Sequence, residues 1–195
     1  MLFSYVATVP WTFFASSLSD MADSLVQNMS LVTKVYFPRE ALPISAMLAR
    51  LLDLGIAAAL LVLMIAYSQI PSAPVLWLYV PIILSIQVAL VLGLGLMAAA
   101  LNVFYRDVQP LLKLAIQLWF YASPIIYPVS VVPEHLRPFY YLNPMAGVLD
   151  AYRAVLLYAR PPESYLWWSA PIAFALLLSG YWLFKRVEFQ FADIV

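Results

Sequence analysis

Apolar residues along this chain come in long blocks separated by short polar or charged groups. Between Asp53 and Arg106 there is no charged side chain, and the block is interrupted only by Ser68-Gln69-Ile70-Pro71-Ser72-Ala73-Pro74. A bilayer's hydrocarbon core is about 30 Å thick and takes roughly 20 helical residues to cross, so this block holds two crossings joined by a turn. Residues 1–19, 114–133 and 164–184 are also free of charge and long enough to span. The pattern predicts helices over 3–27, 43–67, 75–101, 110–129 and 165–186, the first with a polar lower half carrying Asp20 and Asp23. Only a helix satisfies its own backbone in lipid, and the short alternating segments of a β-barrel are absent. The expected fold class is therefore all-α, a single polytopic transmembrane bundle of five spans over residues 1–195.

Composition agrees, with 65% hydrophobic and 10% charged residues, against about 25% charged in an ordinary globular domain. The net charge is zero and the basic residues are scattered, which gives no footprint for nucleic acid. There is no cysteine and one histidine, so a disulfide framework, a thiol nucleophile and a Cys/His metal site are excluded. The string GLGLMA at 93–98 matches a loose dinucleotide fingerprint, but it sits inside an apolar helix with no strand before it. Its small residues have a simpler use. Gly95 with Ala99, and Gly55 with Ala59, are four apart and let helix backbones approach closely in lipid. No phosphate loop occurs, so any ATP must be bound by another polypeptide.

Lys and Arg in the connecting segments set the orientation. Lys34, Arg39, Arg106, Lys113, Lys185 and Arg186 fall on one side; only Arg137, Arg153 and Arg160 fall on the other, each within three positions of an acidic residue. The richer side is expected to be cytoplasmic, with the C-terminus inside. An odd number of spans then puts Met1 outside with nothing ahead of it to direct insertion, so the expectation is that one more span precedes it.

Four features are candidates for chemistry or contact. Arg50 and Asp53 are charges well inside a span, placed at i,i+3 on one helix face; they either neutralise each other near the inner interface or line a pathway or subunit seam. Lys34-Val35-Tyr36-Phe37-Pro38-Arg39-Glu40, in a coupling loop over 30–41, is either an ordinary interfacial turn or a docking element, since Tyr, Phe and Arg are the residues of interface hot spots. Residues 130–164 are too long for a turn and amphipathic, with Val148, Ala151, Tyr152, Val155 and Leu156 at helical spacing and Asp150 and Arg153 on another face. Such a segment lies in the interface or re-enters the membrane. Trp119, Tyr121 and Tyr127 form either an aromatic belt or a surface on which sugar rings stack, in a span whose Pro124 and Pro128 permit a break.

Taken in order, KVYFPRE at 34–40, NVFYRDV at 102–108, SPIIYP at 123–128, LNP at 142–144 and RVEFQFADIV at 186–195 resemble the membrane permease of ABC-2-type exporters. The similarity is greatest to the subgroup exporting lipid-linked polysaccharides such as O-antigen and wall teichoic acid. The resemblance implies a homodimeric channel in the bacterial inner membrane. It also implies a separate nucleotide-binding ATPase subunit that carries ATP and Mg, leaving this chain without a cofactor or catalytic residue of its own. It places the cytoplasmic coupling helix on Lys34, Tyr36, Phe37, Pro38, Arg39 and Glu40, external gate helices within the 130–164 segment, and channel aromatics at Trp119, Tyr121 and Tyr127. The family has six spans, with an amphipathic helix and a first span ahead of the point where this sequence begins. Two rival readings are an ABC-2-type permease for drugs or other small hydrophobic molecules, and a membrane enzyme acting on polyprenyl-linked sugars. The enzyme would require clustered acidic or His residues at one interface, whereas this chain has a lone His135 and scattered carboxylates.

Overall fold

Prolines and charges cut the apolar blocks into helices. The computed structural model describes residues 2–34, 37–68 and 74–192; Tyr36 and most of the expected 68–74 turn lie outside them, and Lys34 enters only as the end of a helix. Among the described residues there are eight α-helices and no strand. They are α1 (Leu2–Gln27), α2 (Met29–Lys34), α3 (Ala41–Tyr67), α4 (Tyr79–Phe104), α5 (Val108–Ala122), α6 (Arg137–Tyr140), α7 (Pro144–Leu156) and α8 (Leu166–Val187). The fold is all-α and polytopic. The stretches Ala41–Tyr67, Pro74–Phe104 and Leu166–Phe191 are long and apolar enough to cross a membrane.

The fourth expected span, over 110–129, is shorter than its apolar run. α5 ends at Ala122 after 15 residues, and Ser123 turns to extended backbone with φ −106° and ψ 150°. Clash with the ring of Pro124 drives the residue before a proline out of the α region. At 1.5 Å per residue α5 is about 22 Å long, less than the hydrocarbon thickness.

α4 is the centre of the bundle and packs on α8, α1 and α7. Its tightest contact is backbone against backbone. A Cβ on Gly93 would sit 2.4 Å from the Leu176 carbonyl carbon, and one on Gly180 would sit 2.1 Å from the Gly93 oxygen. Of the small-residue pairs read from sequence, Gly95 and Ala99 are buried, with Gly95 against Met21. Gly55 and Ala59 do not bring helices together: a Cβ at Gly55 meets nothing within 4 Å, and Gly55 lines an open apolar groove between α1, α3 and α4. Gly180→Ala is accordingly expected to force α4 and α8 apart, a cost of about 1–3 kcal/mol for overpacking. Thermal melting in detergent checks this, with Gly55→Ala as the variant expected to melt like the parent.

Polar groups tie the helices where lipid offers no partner. Gln87 on α4 donates to the Pro10 carbonyl of α1 at 2.7 Å, and its own side-chain oxygen accepts from the Tyr152 hydroxyl at 3.2 Å. Gln87 lies about 12 Å along α4 from its start, so α7 reaches deep into the bundle. The segment therefore packs into the bundle through α7 instead of lying apart from it. Near the other end Asn102 donates to the Ala22 carbonyl at 2.9 Å, and Gln109 to Asp23 at 2.7 Å. These bonds account for the polar half of α1.

Candidate functional site

The basic end of the bundle gathers residues from two distant parts of the chain. Proline at 38 and the short 37–40 segment leave Arg39 and Glu40 ahead of α3, where they meet the end of α8. The Lys185 ammonium lies 2.8 Å from Glu40 Oε1 and 3.0 Å from Glu188 Oε2. The Arg39 guanidinium donates to the Glu188 carbonyl. Burial pushes the Glu40 carboxyl up, but the bond from Lys185, a backbone bond and the lysine's charge outweigh it and hold the group below the ordinary carboxylate range. A cleft of about 310 Å³ separates residues 37–40 from 185–189 and exposes Phe189. Of the coupling residues read from sequence, Phe37, Pro38, Arg39 and Glu40 come together here. Lys185 and Glu188 were missed as their partners. Their i,i+3 spacing is visible in the sequence, but nothing local points across to Glu40.

Arg50 and Asp53 pair as their spacing requires, at 3.0 Å. The shorter contact is with Asp20 of α1, 2.5 Å from the Arg50 Nε. Asp20 and Asp53 thus flank one guanidinium, and α1 and α3 are cross-braced one to two turns below their middles. Side chains in this group are about half exposed, so the Coulombic gain is modest.

The aromatic candidates separate into different roles. Trp119 turns inward: its indole N–H donates to Asn143 Oδ1 at 2.8 Å and its ring meets Phe14 edge-on at 5.2 Å. Asn143 is the N-cap of α7, accepting from the Met145 N–H at 3.0 Å and donating to Ser123 Oγ at 3.0 Å. Trp119 therefore fixes where α7 begins. Tyr121 is 64% exposed and continues a stripe with Leu111, Leu114 and Leu118 on the face of α5 away from the bundle. The Tyr127 hydroxyl bonds that of Tyr140 at 3.0 Å, joining the segment after α5 to α6.

Arg153 departs from the sequence reading, which puts it with Asp150 on a polar face. It is 1% exposed, and among the described residues it forms no ion pair with Asp150. Its guanidinium donates to the carbonyls of Pro124, Ile125 (2.7 Å) and Phe3 (3.3 Å), and lies 3.8 Å from the centre of the Phe3 ring. The break at Pro124 strips the following carbonyls of helical donors, and Arg153 replaces them. Asp150 instead accepts from the Tyr141 hydroxyl at 3.1 Å, and burial pushes its carboxyl above the usual range. Burial also raises the hydroxyls of Tyr140 and Tyr141, which stay neutral.

A bundle of apolar helices, three of them long enough to cross a membrane, with a buried helix at one end and a charged-aromatic loop at the other, is the architecture of a multi-pass membrane protein. The chain belongs to the ABC-2 type transporter family, whose description matches residues 1–157. It is 32% identical over 197 aligned positions to the O-antigen export system permease protein RfbA of Myxococcus xanthus, covering 99% of this chain and 75% of that one. A protein of the same name from Klebsiella pneumoniae is 29% identical over 195 positions, 100% of this chain and 75% of that one. As an ABC-2 permease, the chain works in an ABC transporter with a partner ATPase subunit.

Proposed function

We propose that this chain is the channel-forming subunit of an ATP-driven exporter that moves lipid-linked polysaccharide outward across the bacterial cytoplasmic membrane. The observation that carries the reading is similarity along essentially the whole chain to proteins named as O-antigen export permeases. Those names favour a polysaccharide over a small hydrophobic cargo.

In this reading α1, α3, α4, α5 with its broken continuation, and α8 are five crossings, and the end with Lys185 and Arg186 is cytoplasmic. The ATPase docks on residues 34–40. α5 faces a second copy across the channel. That placement is supported by physics: non-helical backbone at membrane depth is tolerated only inside protein or against a water-filled cavity. The chain after Ala122 is non-helical, and Ile126 there is exposed. No α5 side chain is fully buried, which leaves that face for a partner copy and the cargo. Residues 130–164 close the outer end as a gate.

Tyr121 is then the aromatic that meets sugar, and Trp119 is a packing residue. Tyr121→Ala is expected to reduce surface polymer and polymer-stimulated ATP hydrolysis by up to about tenfold, the scale of an aromatic contact of 0.5–1.5 kcal/mol. Tyr121→Phe should keep most activity because it retains a π-face, and Tyr121→Leu should not. Trp119→Leu should lower the amount of folded permease. Full export by Tyr121→Leu at normal protein level would remove Tyr121 from the channel, and normal surface polymer in cells lacking the permease would overturn the polysaccharide assignment.

A further inference from the structure

We propose that Lys185 is a positioning residue that fastens the coupling loop to the end of α8, so that the loop and the last span move as one body when the ATPase subunit drives the loop. The proposal rests on reading residues 34–40 as the coupling element, and adds where its displacement goes.

One ammonium serves two carboxylates on separate elements: Glu40 ahead of α3, and Glu188 in the 3-10 turn Glu188–Ala192 that follows α8. Arg39 adds a second strut to the same turn through the Glu188 carbonyl. The turn is itself anchored. Phe191 is fully buried, with its ring 5.6 Å from Phe184 of α8 and 5.8 Å from Phe104 of α4. Beyond it, α8 is locked to α4 by the backbone contact at Gly93 and Gly180. A push on residues 37–40 therefore passes through Lys185 into the α4–α8 pair.

Chain continuity alone would deliver the push elsewhere. The covalent neighbour of the loop is α3, whose outer surface carries Leu52, Ile56 and Leu63 exposed and which leans mainly on α1. α3 could tilt without moving the centre of the bundle. A lysine in the last turn of a helix more often complements the helix dipole or reaches for solvent; the side chain of Lys185 is one-third exposed and lies between two partners that are themselves mostly buried.

The test measures export and ATPase attachment in the same membranes. Lys185→Glu, which sets three carboxylates together, is expected to leave the ATPase subunit co-purifying while export falls by about tenfold or more, within the usual range of a coupling energy. The reversed pair Glu40→Lys with Lys185→Glu should recover most of that loss. Because the chain has no cysteine, Glu40→Cys with Lys185→Cys introduces a unique thiol pair. Joined by a short cross-linker, it should export like the parent, and unjoined it should resemble Lys185→Glu. Normal export by Lys185→Glu, a reversed pair as inactive as the single variant, or a cross-link that stops export would overturn the proposal. If Lys185→Glu is lost from the membrane, the cross-linked pair decides. Phe37→Ala separates the two readings: normal export there removes the coupling element itself, whereas loss of export there with normal export by Lys185→Glu removes only the strut.

Discussion

Arg153→Met is expected to remove most of the folded permease from the membrane. The methionine side chain is shorter but apolar and similar in volume, so most of the packing is kept while the donors vanish. The carbonyls of Pro124 and Ile125 then lose their donor, while that of Phe3 keeps its helical bond, and each buried carbonyl left unpaired costs about 1–3 kcal/mol. Set against a typical total stability of about 5–15 kcal/mol, that loss is large. Arg153→Lys should recover only part of it, because a single ammonium cannot span acceptors that the planar guanidinium reaches at once. The amount of monodisperse protein after extraction and its melting temperature are the readouts. Parental values for Arg153→Met would mean that the backbone after Pro124 needs no donor from α7.

Phe37→Ala and Arg39→Glu should each abolish export while the permease stays in the membrane. If residues 34–40 carry the ATPase contact, Phe37 is an aromatic anchor, and removing an anchor costs about 2 kcal/mol or more at an interface. Arg39→Glu does more: it reverses the charge of the loop, and it breaks the strut to the Glu188 carbonyl. Surface polymer, membrane abundance and co-purification of the ATPase distinguish the outcomes. Normal export in both variants would withdraw the coupling assignment, and loss of the permease itself would show a folding defect.

Trp119 shows why an aromatic in a membrane sequence is ambiguous. Its position, next to Phe120 and Tyr121 near the end of an apolar helix, suits a belt and a sugar platform equally. Only the bond to Asn143 and the contact with Phe14 turn it into the residue that seats α7. Neighbouring positions on a helix point about 100° apart, so Trp119 facing inward leaves Tyr121 outward.

The apolar blocks by themselves determined the helices. α1, α3, α4 and α8 begin and end within about four residues of the expected 3–27, 43–67, 75–101 and 165–186, because a spanning window sums the hydrophobicity of some 20 residues and tolerates local noise. The family was also legible, since its motifs are short runs of neighbouring residues. The early end of α5 was signalled by Pro124 but masked by the apolar run that continues past it. Which helix faces meet was not legible. Lipid is as apolar as the side chains, so hydrophobicity puts a helix in the membrane without choosing its neighbours; shape and a few polar groups choose. Gly93 against Gly180, Arg50 against Asp20, Arg153 on the Pro124 carbonyl and Lys185 against Glu40 join positions 29 to 145 residues apart. Those pairings were decided only when the tertiary structure brought backbone close enough for a glycine to matter and placed each buried charge beside the groups that could satisfy it.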